Sequence, residues 1–383
     1  MPHKKLGQVT RGLLTWFVEN ARDLPWRRTR DPYAIWVSEI MLQQTQVKTV
    51  IPYWERWMRE LPSIRALAKA NSNKLHKLWE GLGYYTRVRN MQKASQMIMK
   101  QHGGAFPREF EDILALPGIG RYTAGAICSI AFHQPYPVLD GNVMRLLTRV
   151  FGIAGNPRES RTNAVLWSLA EDLVRSAVLP AQLAACRPNA NSTAVRTDAE
   201  FAASNLNQSL MELGALVCTA RKPKCELCPL ARFCVALKED RIEDLPAASP
   251  RPQVTKRRVA AFILEHEDRF LVRQRGGDTV NAHLWEFPNV EVSCEPHDIS
   301  KTAKRELEMT AALEPFCTIK HSITHFRISM DVYRGVLKSG TALASAAGTR
   351  WVSKAAMKRL PFASAHRKIV LKLDNRTGSL SRA

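Results

Sequence analysis

The sequence predicts two domains, an all-α N-terminal domain followed by a smaller α+β domain. Three observations lead there: helical apolar periodicity from Leu6 to about Leu237, a proline-rich break over Leu245–Pro252, and short, partly alternating apolar runs beyond it. At 383 residues, 45% of them hydrophobic, the chain is too long for one ordinary core and apolar enough to build two. We place the helical domain at residues 1–237, a linker at 238–258, the second domain at 259–372 and a tail at 373–383.

In the first domain Leu13, Leu14, Phe17 and Val18 recur at three- and four-residue spacing, as do Leu67, Leu75, Leu78 and Leu82. Proline and glycine punctuate roughly ten helices. Pro32 after Asp31 suits a first turn, and Gly81 and Gly83 suit a helix end. Residues 180–199 lack periodicity and read as an extended surface loop. In the second domain Val259–Glu265, Phe270–Gln274 and Ile328–Leu337 read as strands, and Ser300–Thr310 as a helix.

Four cysteines close the helical domain: Cys218, Cys225, Cys228 and Cys234, spaced C-x6-C-x2-C-x5-C. Structural zinc sites pair two short Cys-x-x-Cys knuckles, whereas only one tight pair exists here, so the spacing favours an iron–sulfur centre. Metallated thiolates imply a reducing, intracellular setting. The remaining Cys128, Cys186, Cys294 and Cys317 read as structural thiols.

The formal net charge is +21, from 56 Lys+Arg against 35 Asp+Glu, which makes nucleic acid the default partner. The first residues show no export signal. The longest stretch without a formal charge, Tyr122–Leu139, holds two prolines and cannot form a continuous apolar span. The expectation is a soluble protein without membrane attachment, acting as a monomer.

Leu116-Pro-Gly118-Ile-Gly120-Arg121 is a glycine turn running into a helix, where backbone N–H groups can meet a phosphate. Twenty residues on, Asp140 ends an apolar run and heads a new helix in Asp140-Gly-Asn142-Val143, as an N-cap does. A capping carboxylate is expected to stay ionised and can stabilise cationic character on a sugar. Glu39 lies on a helix among apolar neighbours, and desolvation there raises a carboxyl toward the range a general acid needs. The amides Gln43 and Gln44 can replace the hydrogen bonds of an extruded base.

Together, Ser38-Glu-Ile-Met-Leu-Gln-Gln-Thr45, Gly81-Leu-Gly-Tyr-Tyr85, Leu116–Gly125, Val138–Arg145 and the four cysteines resemble the MutY-type adenine DNA glycosylases of the helix-hairpin-helix superfamily, which also includes endonuclease III. The resemblance implies that Glu39 protonates adenine and that Asp140 stabilises the deoxyribosyl cation. It further implies that Gln44 and Tyr84 enter the base stack, and that Arg27, Tyr122 and Asn142 line the catalytic pocket with Trp26 and Gln208 beside the adenine. The implied cofactor is one [4Fe-4S] cluster per chain on the four cysteines. The implied substrate is double-stranded DNA carrying adenine opposite 8-oxoguanine or guanine, in a bacterial cytoplasm.

Relatives that also cut the strand carry a lysine where this chain has Tyr122, and a phenol forms no Schiff base, so base removal by hydrolysis alone is expected. The second domain resembles the Nudix-like domain of the same family, clearest at Leu284-Trp-Glu-Phe-Pro288. Arg305-Glu-Leu-Glu-Met309 lacks the second acidic pair of a Nudix hydrolase, so the domain is expected to recognise rather than hydrolyse. In relatives the recognition loop commonly reads Phe-Ser-His. Ile323-Thr324-His325 here keeps a hydroxyl and the imidazole but loses the stacking ring. Two alternatives are an endonuclease III-like glycosylase/lyase for oxidised pyrimidines, against which Tyr122 and the second domain speak, and a non-catalytic DNA-binding protein, against which Glu39 with Asp140 speaks.

Overall fold

A computed structural model describes residues 3–184, 199–247, 253–277, 279–292, 301, 303, 312–323, 325–337 and 348–377. These form two compact units: residues 1–69 with 90–250, and residues 70–89 with 251–383. The stretch Ala70–Arg89, read from the sequence as part of the helical domain, therefore groups with the C-terminal residues.

The first unit is helical. Its core gathers α1 (His3–Asn20), α9 (Gly141–Phe151), α10 (Ser160–Ala184) and α11 (Ala202–Leu216) around Leu13, Leu146, Leu166, Leu173, Leu206 and Leu210, all buried. These leucines sit at the three- and four-residue intervals that put one stripe of each helix inward. The unit also contains α2 (Pro32–Leu42), α3 (Val47–Glu60), α4 (Ile64–Lys69), most of α6 (Thr86–Gln101), α7 (Phe110–Leu114), α8 (Arg121–Ala131) and α12 (Val235–Lys238), whereas α5 (Ser72–Leu78) belongs to the second unit. α10 continues through Pro180 to Ala184, beyond the point where the expected surface loop begins; helix-forming alanine and leucine follow the proline and sustain it. The rest of that loop, with Cys186, lies outside the described residues.

α7 and α8 make the hairpin. Gly118 has φ +81°, and a Cβ there would come within 2.7 Å of the Asn90 side chain, so glycine is required on both counts. Gly120 caps α8 and has nothing within 4 Å of a Cβ position, which leaves its backbone open to a ligand. Arg121 beside it is engaged by Glu171 at 2.6 Å and stacks on Trp167.

The second unit is built on a mixed sheet in the order β3-β2-β1-β6-β5, with β4 paired to β1 and β7 to β2. Its strands are β1 (Thr255–His266), β2 (Arg269–Gln274), β3 (Trp285–Glu286), β4 (Asn289–Val292), β5 (Glu314–Ile323), β6 (Phe326–Val336) and β7 (Thr349–Ser353). β1 and β6 run parallel and the other pairs antiparallel. Phe287, Phe362, Ile263, Val272 and Ile369 pack one face of it. β1 begins inside the expected linker, because Thr255–Arg258 pair with Phe326–Ser329 despite their charge. The last helix, Ser364–Thr377, carries buried Leu373 into the expected tail. Most of the expected helix 300–310, the acidic-pair segment and Cys294 lie outside the described residues. Among the described residues no helix is long and apolar enough to cross a membrane.

Candidate active site

α2 starts where Asp31 accepts the Tyr33 N–H at 3.0 Å and Pro32 fills the first turn. From Tyr33 to Met41 every residue is buried, so Glu39 is carried into the interior, 6% exposed. The Tyr122 hydroxyl donates to Glu39 Oε2 at 2.7 Å and lies 3.1 Å from Met211 Sδ. Burial is the main influence on Glu39 and raises its carboxyl to about 7; the Asp140 charge adds to this, while the Tyr122 bond and Arg27 oppose it. The Tyr122 phenol is itself pushed well up, by burial first and then by Glu39, and so keeps its proton.

Asp140 caps α9 as its sequence context predicts. Oδ1 accepts the Val143 N–H and Oδ2 the Asn142 side-chain amide, both at 2.8 Å. Burial is the largest influence on its carboxyl and moves it up from the ordinary value, while the bonds from Val143 and Asn142 and the charge of Arg145 pull the other way without reversing it. Two N–H donors replace only part of the lost hydration.

Glu39 and Asp140 line one cavity of about 660 Å³, together with Trp26, Arg27, Gln43, Gln44, Tyr122, Asn142 and Gln208. The size suits a single base-sized ligand with its sugar. Gln44, just past the end of α2, has a positive φ of 57°, which turns the chain at the cavity wall. Tyr84 and His325 belong to the other compact unit; Tyr84 is 52% exposed, and His325 packs on Phe326 at 4.0 Å. Thr324 lies outside the described residues.

The sequence did not single out Glu212, Arg22 or Arg145 as site residues. Burial alone would raise the Glu212 carboxyl, but it accepts from Arg22 Nε and Nη2 at 2.7 Å and from Arg27 at 3.0 and 3.2 Å, and together these bring it down to about 2 and fix the Arg27 guanidinium at the cavity. Arg145 donates to Asn142 Oδ1 at 2.8 Å and to the Cys218 carbonyl at 2.7 Å, so it joins the Asp140 cap to the cysteine loop. Apart from Asn142, these partners lie 73 to 190 residues away along the chain and leave no local pattern.

Cys218, Cys225, Cys228 and Cys234 line a common cavity walled by Leu146, Val150, Val217, Leu237 and Ile242. Among the described residues no three of His, Cys, Asp or Glu gather about a position for a single ion. Four soft donors around a dry cavity fit an iron–sulfur cluster. Buried Arg149 brings a positive charge to 3.6 Å from Cys218 Sγ and ties the loop by bonds to the Thr219 and Leu245 carbonyls at 2.7 and 2.8 Å.

Family models place these features. Residues 37–172 match the HhH-GPD superfamily of base excision DNA repair proteins, 218–234 the iron–sulfur binding domain of endonuclease III, and 259–372 the NUDIX domain. The chain is 33% identical to the adenine DNA glycosylase of Rattus norvegicus, over 94% of this chain and 76% of that protein. It is 34% identical to the adenine DNA glycosylase of Buchnera aphidicola, over 83% of this chain and 84% of that protein. Among solved structures it is similar to a thermostable thymine-DNA glycosylase, with TM-score 0.52 and 28% identity over 62% of this chain and 98% of the other.

Proposed function

The chain belongs to the adenine DNA glycosylase family, iron–sulfur N-glycosylases of base excision repair, and on that premise we propose that it removes adenine mispaired with 8-oxoguanine or guanine from duplex DNA by hydrolysis alone. The observation that carries this reading is the shared cavity: an acid raised to about 7 and a capped carboxylate both line it.

Glu39 gives its proton to the adenine ring, the bond from the anomeric carbon to N9 breaks, and its electron pair leaves with the base. Asp140 then faces the positive sugar, oriented by Val143 N–H and Asn142. Water adds to the anomeric carbon and gives up its proton to a carboxylate, leaving an abasic site. Gln208 and the Glu212-clamped Arg27 supply polar contacts for the extruded base. Cys218, Cys225, Cys228 and Cys234 would hold the iron–sulfur cluster, [4Fe-4S] in this reading, which would fix the basic loop bearing Lys222 and Lys224 for phosphate contact. Tyr122 stands at the lysine position of strand-cutting relatives. As a protonated phenol donating to Glu39 it forms no covalent adduct with the sugar.

The second unit reads the base opposite the adenine through the β5–β6 hairpin, whose tip is closed by Ile323 pairing with Phe326. The same reading makes the enzyme a monomer working on chromosomal DNA in a bacterial cytoplasm.

The test uses purified protein with duplexes carrying adenine opposite 8-oxoguanine, guanine or thymine, scored for strand breaks with and without mild alkali. Breaks at the first two that need alkali support the proposal. Breaks without alkali, or a borohydride-trapped adduct, contradict it.

A further inference from the structure

The turn Gly81–Tyr84 carries three positive-φ residues in four: Gly81 at 107°, Gly83 at 70° and Tyr84 at 46°. A tyrosine in that region is held there by its surroundings rather than by its own preference. Within the second unit the surroundings are specific. On the N-terminal side of the turn Glu80 Oε1 accepts the Phe362 N–H at 3.1 Å. Its Oε2 accepts Lys77 Nζ at 2.7 Å and lies 3.8 Å from Arg367 Nε. Lys77 Nζ donates as well to the Leu360 carbonyl at 3.3 Å. On the C-terminal side Arg89 donates to the Ala282 carbonyl at 3.3 Å. The Pro361–Ala363 stretch is in turn bonded to Trp285 at the head of β3, at 2.8 and 3.0 Å.

Between these anchors Tyr84 and Tyr85 share one cavity of about 530 Å³ with Ser322, Ile323 and Ile328 of the β5–β6 hairpin. Glu80 is 14% exposed at its side chain, and it accepts from a backbone N–H and from cations at once. A carboxylate so engaged transmits a shift of the Leu360–Arg367 stretch to the turn more stiffly than apolar contact would.

We infer that Glu80 is a positioning residue that couples the Tyr84 turn to the Leu360–Arg367 stretch of the same unit, so that the base opposite the adenine changes how Tyr84 is presented to the DNA. The inference rests on the proposed reading of lesion preference and adds to it the path by which that preference reaches the base stack.

The experiment compares the full-chain holoenzyme with Glu80→Ala, Glu80→Gln, Tyr84→Ala and the Glu80→Ala/Tyr84→Ala double variant. Single-turnover excision is measured on adenine opposite 8-oxoguanine and opposite guanine. Glu80→Ala is expected to cut the rate ratio between the two substrates by about fivefold, the factor that about 1 kcal/mol of coupling gives. Glu80→Gln, which keeps an acceptor for Phe362 N–H, is expected to fall between Glu80→Ala and wild type. The double variant is expected to be no less selective than Tyr84→Ala alone. Equal slowing on both substrates, as loss of folding alone would produce, overturns the inference, as does a double variant whose losses simply add. A wild-type enzyme without preference for 8-oxoguanine overturns the lesion reading and the inference with it. An unchanged ratio in Glu80→Ala beside a clear wild-type preference overturns the inference alone.

Discussion

Replacing Glu39 by Gln should make the protein more stable at high pH while removing its acid. The cause is burial: the folded protein holds the Glu39 proton until about pH 7, whereas an ordinary glutamate releases it at 4.5. The native state therefore binds more protons than the unfolded chain across that window, and wild-type stability falls as pH rises through it. The gap between the two values corresponds to about 3 kcal/mol once the pH is above 7. Glutamine does not titrate, keeps an oxygen for the Tyr122 hydroxyl, and leaves every other titrating group in place. The stability difference, Glu39→Gln minus wild type, should then rise by about 3 kcal/mol between about pH 4 and about pH 8. Urea titrations of both proteins at a series of fixed pH values, followed by tryptophan fluorescence, measure it. A difference that stays flat with pH, or that falls, would refute the claim that this carboxyl is held protonated by desolvation.

Asp140→Asn keeps a cap acceptor for the Val143 N–H, so unfolding should shift by no more than about 1–2 kcal/mol while single-turnover excision falls about 100-fold or more. Gly118→Ala should destabilise by about 1–3 kcal/mol, because its φ is +81° and Asn90 blocks the Cβ. Gly120→Ala, at the N-cap of α8, should cost no more than about 1 kcal/mol in unfolding and weaken duplex binding in a titration. Arg149→Met strips donors from the Thr219 and Leu245 carbonyls, and should destabilise the cysteine loop by about 2–4 kcal/mol, seen as faster loss of iron to a chelator.

Features written in adjacent residues were readable before any coordinates. Asp31 before Pro32, Asp140 before Asn142 and Val143, and Gly118 before Gly120 each encode a cap or turn whose partners lie within three residues, so spacing alone determines them. Glu39 was readable because its helix neighbours are almost all apolar. Glu212, Arg22, Arg145 and Arg149 were not, since each acquires its role from partners brought close only by the packing of α1, α9 and α11. One misreading came from a local rule with too little context: residues 180–199 lack periodicity and read as a loop, yet the helix continues through Pro180 to Ala184. The grouping of Ala70–Arg89 with the C-terminal residues brings together pairs such as Glu80 and Phe362, 282 residues apart, for which a sequence holds no periodic sign.

The central claim is that Glu39 supplies the proton that releases adenine. Its most direct test is the single-turnover rate of free adenine release from an adenine:8-oxoguanine duplex by wild type and Glu39→Gln, with duplex affinity measured alongside. The account predicts that the variant binds the duplex as tightly as wild type and releases no adenine above background, and that wild-type release declines as pH rises through about 7. Release by Glu39→Gln at the wild-type rate would contradict it.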